Sequence, residues 1–159
     1  MKKIVKISEL RIDCDPQILI TRALGSCVAV CLYERHKKIG GLCHFILPNS
    51  SISREKKFSP GKFADTGIKM MVEEIVNRRG GRKSLIEAKI VGGAKMFSTL
   101  GDSLNIGDKN VKAAEKILKE LRISILARDV GEDFGRNVSM YLDSGTVEVT
   151  SFRKGTVKL

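Results

Sequence analysis

The sequence contains no tryptophan, and its two tyrosines and six phenylalanines make up only 5% of 159 residues. Proteins that bind single-stranded nucleic acid stack the bases on aromatic side chains, and no RNP-like block or comparable aromatic cluster is present. This shortage argues against nucleic-acid binding. Acidic residues are also few, since 18 Asp and Glu stand against 29 Lys and Arg, for a net charge of +11. The excess fits either a solvated basic surface or a surface that docks an acidic partner.

Long hydrophobic runs are missing as well. The longest apolar stretches without a charge, Gly25 to Tyr33 and Ile39 to Pro48, are far shorter than the roughly 18 residues expected of a membrane-spanning helix. Near the start of the chain, Lys6 and Glu9 interrupt the apolar core that a secretory signal requires. We therefore expect a cytoplasmic protein that does not insert into membranes.

Metal ligands are scarce, because the chain has two histidines and four cysteines, the latter at positions 14, 27, 31 and 43. In a reducing compartment these cysteines are thiols, and their spacing matches no CxxC zinc pattern. If 27–33 is a strand, Cys27 and Cys31 lie about 13 Å apart at roughly 3.3 Å per residue. Two ligands of one zinc ion cannot be that far apart. We therefore expect no zinc site.

The order of hydrophobic patterns predicts the fold class. Runs rich in β-branched and aromatic residues predict strands at 4–7, 17–21, 27–33, 42–47, 85–91, 123–127, 137–142 and 146–152. Helical periodicity predicts one helix over 62–79 and a second that begins near Gly107. We predict an α/β (α+β) fold, with residues 1–159 forming a single domain in which a mostly antiparallel sheet is layered with two main helices.

A cysteine and a histidine occur where the predicted strands could bring them together. A tight turn centred on Arg35 and His36 would place Cys27 directly opposite His44 on an antiparallel pair, with Cβ atoms about 4.5–5.5 Å apart. A register shift of two residues leaves the pair diagonal on one face, whereas a shift of one separates them across the sheet. A longer turn with a bulge is equally compatible with the sequence.

Such a pair would have a defined chemistry. An imidazolium beside a thiol lowers the thiol pKa and favours the nucleophilic thiolate. The tight turn at Gly25 and Ser26 could aim backbone N–H groups at the oxygen of an attacked carbonyl. The Thr21 hydroxyl could accept a hydrogen bond from the second imidazole nitrogen and fix its tautomer. Spacing alone leaves the question open, because a strand cysteine is more often a small buried apolar residue.

Two blocks of the sequence resemble a known family. The stretch TRALGSCVAV at 21–30 resembles the signature block of the CheD family of chemoreceptor glutamine deamidases, and GLCHFILP at 41–48 resembles its second block. The resemblance continues in order through Ala64-Asp65, AKIVGGAKMF at 88–97, Ile106-Gly107, Asn110, Asp129 to Gly131 and Gly135-Arg136. It therefore covers nearly the whole chain, and the joined first two blocks are its specific part.

The resemblance implies an α+β cysteine hydrolase that converts receptor glutamines to glutamates without a cofactor. By position, it makes Cys27 the nucleophile, His44 the acid and base, and Thr21 the residue that orients His44. The family also acts on receptor methyl esters, which is the same acyl chemistry with another leaving group.

The resemblance implies partners too. These are the cytoplasmic domains of methyl-accepting chemotaxis receptors and a CheC-type phosphatase, and we expect the chain itself to be a monomer. Met96 and Phe97 are the candidate contact with the phosphatase, unless they fold back into the core. The alternative to an enzyme is a non-catalytic regulatory module that binds a CheC-type phosphatase.

The chain departs from the family pattern at two positions. Glu132 stands where the family commonly has a glycine, which predicts a positive φ at that position. Phe63 stands where the family often has tyrosine, so the ring is kept and the hydroxyl is lost.

Overall fold

Two five-stranded sheets form the framework of the described residues, which are 1–96 and 105–159 of a computed structural model. The first sheet contains, in spatial order, β1 (Lys2–Ile4), β3 (Ile18–Leu24), β8 (Arg136–Tyr141), β9 (Val147–Ser151) and β10 (Gly155–Lys158). The second contains β2 (Leu10–Cys14), β5 (Ile39–Phe45), β4 (Val28–Glu34), β6 (Ile86–Gly92) and β7 (Ser124–Val130). Only the β1–β3 and β6–β7 pairs are parallel among these strands.

Two helices pack on the second sheet. Helix α1 (Ala64–Glu73) continues into a π-helical turn at Glu74–Arg78, and α2 (Ile106–Glu120) precedes β7. Short 3₁₀ turns lie at Ser50–Ile52, Pro60–Lys62 and Lys83–Leu85. In the described ranges, neither helix is both long enough and apolar enough to cross a bilayer.

Strands β4 and β5, which are neighbours in the interior of the second sheet, are buried along their whole length. Side chains alternate across a strand, so Val28, Val30 and Leu32 enter the core beneath the helices. Ala29 and Cys31 enter a second core between the two sheets. Both faces are covered, which explains why these strands read as unbroken apolar runs.

The predicted α+β class, with mostly antiparallel strands and two main helices, is confirmed. Several boundaries differ from the predicted ones, and two edge strands, β2 and β10, were not predicted. Strand β5 begins at Ile39 and not at the predicted residue 42, because Gly40 and Gly41 also belong to it. A Cβ on Gly40 would collide with Leu142, and one on Gly41 would lie 2.9 Å from Met71 Sδ. These glycines mark close packing inside a strand, although glycine is usually a turn signal.

Candidate active site

Three strands from both sheets meet at the predicted site. Thr21 lies on β3 of the first sheet, His44 lies on β5 of the second, and Cys27 immediately precedes β4. Thr21 and His44 are buried, whereas Cys27 is partly exposed and packs at the margin of the inter-sheet core. The three predicted residues are therefore gathered at one end of the interface between the sheets.

The predicted register of Cys27 and His44 is wrong by two residues. His44 pairs with Ala29, because the connection between β4 and β5 is a four-residue turn at 35–38 that places Glu34 opposite Ile39. The prediction assumed a tight turn centred on Arg35 and His36, although the sequence was equally compatible with a longer one. A shift of two residues preserves the face of the strand, so Cys27 is diagonal to His44 on the inter-sheet side.

Hydrogen bonds around Thr21 determine which nitrogen of His44 carries the proton. The Thr21 hydroxyl donates its only hydrogen to the Val5 carbonyl, at 2.7 Å. Thr21 Oγ1 also lies 2.7 Å from His44 Nδ1, so here it must act as the acceptor and Nδ1 as the donor. The neutral ring therefore has its free lone pair on Nε2. That atom is buried and has no hydrogen-bond partner in the described part of the chain, which leaves it free to accept a proton.

The electrostatics of the free site favour a neutral pair. Burial lowers the pKa of His44 from 6.5 to about 4. Burial also raises the pKa of the Cys27 thiol, although a hydrogen bond from its own backbone N–H acts in the opposite direction. At neutral pH both groups are therefore uncharged. The predicted thiolate–imidazolium pair is wrong for the free protein, because desolvation of the imidazole was not visible in the spacing of the residues.

The loop before Cys27 is held through its carbonyl groups. Gly25 O accepts from Ala94 N at 2.9 Å, and Cys27 O accepts from Gly93 N at 2.8 Å. Ser26 O accepts from the side chain of Asn110 at 3.0 Å. Within 1–96 and 105–159, the N–H groups of Ser26 and Cys27 donate to no other residue. The Ser26 N–H is therefore available to an incoming oxygen, and the Cys27 N–H, which interacts with its own sulfur, is bound to no other residue that would keep it from one.

Met96 lies beside this loop and is 44% exposed. A Cβ on Gly25 would lie only 3.2 Å from Met96 Cγ, so the absence of a side chain at Gly25 lets Met96 pack there. The alternative in which Met96 folds back into the core is not what the structure has. Phe97, the second residue of the predicted contact, lies outside the described residues.

Glu132 has a φ of 59°. A positive φ was predicted here because Glu132 stands where the family commonly has a glycine. Its carboxylate lies 2.9 Å from Lys154 Nζ and 3.6 Å from a guanidinium nitrogen of the buried Arg136. Arg136 in turn pairs with Asp129 and donates to the Gly131 carbonyl. Because Arg136 is opposite Leu24 on β3, this network supports the strand end that leads into the cysteine loop.

Sequence reasoning assigned no role to two residues that contact the site, Val5 and Asn110. Val5 gives no local signal, because it contributes only a backbone carbonyl. Asn110 does give one, since it is a polar residue on the apolar face that Val111, Ala114 and Leu118 form on α2. Among the residues that the structure describes, no group of three or more His, Cys, Asp or Glu side chains could hold a metal ion.

Comparison with known proteins extends these observations. The family model of CheD, described as chemotactic sensory transduction, matches residues 46–151. A chemoreceptor glutamine deamidase CheD of Thermotoga maritima is 41% identical over 149 residues, which cover 94% of this chain and 91% of that protein. A protein of Desulforamulus reducens, named "Probable chemoreceptor glutamine deamidase CheD", is 44% identical over 147 residues, which cover 91% of this chain and 87% of that one.

A solved structure was also compared. The crystal structure of the Bacillus licheniformis hypothetical protein YfiH aligns with a TM-score of 0.48 and 15% sequence identity. The alignment covers 76% of this chain and 49% of that one, and a similarity this low indicates no function. The family model begins two residues after His44, whereas the two relatives align over more than nine tenths of the chain.

Proposed function

The chain belongs to the CheD family, and from that membership we propose that it hydrolyses the side-chain amide of chemoreceptor glutamines to glutamate. One observation carries the proposal, namely the Val5–Thr21–His44 hydrogen-bond chain. It leaves His44 with a free Nε2 lone pair on the face of the sheet to which Cys27 belongs. These features support a nucleophile, a base and a group that orients the base as the roles of Cys27, His44 and Thr21.

In the first step, His44 acts as a general base. As Cys27 Sγ attacks the carboxamide carbon, the thiol proton moves to His44 Nε2, the C–S bond forms and the carbonyl electron pair moves to oxygen. The N–H groups of Ser26 and Cys27 supply hydrogen bonds to that oxygen. Because the resting groups are neutral, charge separation develops only as substrate enters and the bond to sulfur forms.

In the second step, the imidazolium of His44 gives its Nε2 proton to the amide nitrogen, the C–N bond breaks and ammonia leaves. A thioester to Cys27 remains. Water then attacks the thioester carbon while His44 accepts a proton from it, and the released thiolate recovers that proton. The products are glutamate and ammonia, and one water is consumed. Throughout, Thr21 keeps the Nδ1 proton in place and accepts a hydrogen bond from the imidazolium.

The same steps extend to receptor methyl esters. An ester carbonyl accepts the same attack by sulfur, and His44 then protonates departing methanol in place of ammonia. We include this methylesterase activity in the proposal, because nothing in the steps above depends on nitrogen as the leaving atom.

The proposed partners follow from charge and exposure. The net charge of +11 suits an acidic, helical receptor domain in the cytoplasm. The half-exposed Met96 beside Gly25 is a suitable contact for a CheC-type phosphatase, which would then cover the entrance to Cys27. We propose that the chain acts as a monomer with one catalytic domain.

The test is deamidation of a purified receptor cytoplasmic fragment, with each converted glutamine located by mass spectrometry. We expect wild-type protein and the control variant Cys14→Ala to convert glutamines, since Cys14 is an exposed thiol at the end of β2. Cys27→Ala should release no ammonia while retaining the wild-type circular dichroism spectrum. Full conversion by Cys27→Ala would refute the proposal, and so would its absence in the wild type.

A further inference from the structure

The side chain of Asn110 ties together the segments that carry Cys27 and His44. It is completely buried at the first turns of α2. Its Nδ2 donates to Ser26 O and to Ile46 O, both at 3.0 Å. Ser26 directly precedes Cys27, and Ile46 follows His44 by two residues. One amide group therefore fixes the spacing between the two chain segments.

Packing alone does not explain an asparagine at this position. Its Oδ1 is buried and has no hydrogen-bond partner in the described ranges, and an unsatisfied buried acceptor is unfavourable. Turning the amide over would set Oδ1 against two carbonyl oxygens, so the orientation is fixed by its neighbours. What the residue provides is the pair of N–H donors.

One of those donors acts on the peptide group next to the nucleophile. The carbonyl of Ser26 and the N–H of Cys27 belong to the same planar unit, in which electrons are shared between oxygen and nitrogen. A hydrogen bond to the carbonyl makes the N–H at the other end a stronger donor, because linked hydrogen bonds polarise one another. That N–H interacts with the sulfur of Cys27 and stabilises its anionic form.

The position of Asn110 is itself rigidly set. A Cβ on Gly107, one turn earlier in α2, would lie 2.6 Å from Gly93 O and 2.5 Å from Ala94 O. The helix therefore packs directly against the backbone of the segment that holds Gly25 and Cys27 through hydrogen bonds. The donor and its target are attached to the same packed unit.

We propose that Asn110 is a positioning residue for the reaction, which holds and polarises the Ser26–Cys27 peptide group so that its N–H stabilises negative charge on the sulfur and on the oxyanion. The inference rests on the proposed role of Cys27 as nucleophile. It assigns to α2, which contributes none of the three proposed catalytic residues, a direct part in the reactivity of the thiol.

The experiment measures the reactivity of Cys27 without a receptor. The rate of Cys27 alkylation by iodoacetamide is followed by peptide mass mapping in a Cys14→Ser background, because Cys14 is exposed whereas Cys31 and Cys43 are buried. The variants are Asn110→Leu, which keeps a branched side chain of similar size, and Asn110→Ala in case the first does not fold. The matched control is Tyr33→Phe. It removes another buried side-chain donor, the Tyr33 hydroxyl, which donates to Leu142 O at 3.0 Å. Tyr33 lies on β4, six residues after Cys27.

We expect alkylation of Cys27 to slow about tenfold in the Asn110 variants, which corresponds to about 1.4 kcal/mol. With receptor fragment as substrate, kcat should fall by a similar factor while KM stays within about twofold. Tyr33→Phe should leave both rates near those of the parent. Unchanged alkylation in both Asn110 variants would overturn the proposal, as would an equal loss in Tyr33→Phe. Slow alkylation in the variants, with no deamidation by the parent, would support this positioning role and refute the proposed function.

Discussion

Replacing Thr21 by valine tests the hydrogen-bond chain that orients His44. The change keeps a branched side chain but removes the hydroxyl, so two buried groups lose their partner: His44 Nδ1–H and the Val5 carbonyl. Leaving a buried polar group unsatisfied costs about 1–3 kcal/mol. With two such groups, we expect Thr21→Val to reduce the free energy of unfolding by about 2–6 kcal/mol.

The catalytic effect follows from the tautomer of His44. Without an acceptor beside Nδ1, the neutral ring has no preference for keeping its proton there, and the molecules protonated on Nε2 cannot act as the base. The imidazolium formed during the reaction also loses a hydrogen bond, and bonds of charged groups are worth about 1.5–3 kcal/mol. Together these effects predict a fall in kcat of about 10- to 100-fold.

Two measurements check this prediction. Ammonia release from a receptor fragment gives kcat, with Thr21→Ser as the control, because it retains a hydroxyl at the same position. Nitrogen NMR of His44 in a His36→Gln background reports the protonated nitrogen, since the chain has two histidines. A folded Thr21→Val protein with kcat within about twofold of wild type, or a wild-type His44 protonated on Nε2 at neutral pH, would refute the reasoning.

Three further predictions concern stability. Because the pKa of His44 is lowered from 6.5 to about 4, the unfolded chain binds the proton first, so the free energy of unfolding should fall by about 3 kcal/mol between pH 6.5 and pH 4. Urea unfolding at several pH values should show a smaller fall in the free energy of unfolding for His44→Gln than for wild type, and an equal fall in both proteins would contradict the prediction. Glu132→Gly should be about 1 kcal/mol more stable than Glu132→Ala, since both lose the ion pair but only glycine relieves the positive φ; equal melting temperatures would count against strain. Gly107→Ala should cost about 1–3 kcal/mol despite the better helix propensity of alanine, because its Cβ meets the carbonyl groups of Gly93 and Ala94, and a rise in melting temperature would show that this contact relaxes freely.

The sequence predicted that Cys27 and His44 could share a face of the sheet, but it did not exclude a register shift of one residue, which would separate them. The observed register differs from the predicted one by two residues, and a shift of two does not change the face. The Thr21 hydroxyl was a possible partner of His44 from the residues alone, but only the resemblance to a family singled it out, because β3 belongs to a different sheet. Local patterns carry no information on how two sheets are stacked.

The charge state of the site could not be predicted in the same way. The pKa of His44 depends on how completely several elements cover the ring, and that coverage is a property of the assembled core. The proposed role of Asn110 could not be predicted from the sequence either, because its two acceptors are 84 and 64 residues away in the chain. The polar residue on an apolar helix face was visible in the sequence, but its partners were not.

Because the proposed triad is divided between two sheets, the proposed catalysis depends on the interface between them. A denaturant or a binding partner that loosened the sheets by a fraction of the Thr21–His44 distance would abolish turnover even if every strand survived. Enzymatic activity should therefore disappear at a lower urea concentration than the β signal in circular dichroism. Loss of activity would then report the separation of the two sheets before the strands themselves unfold.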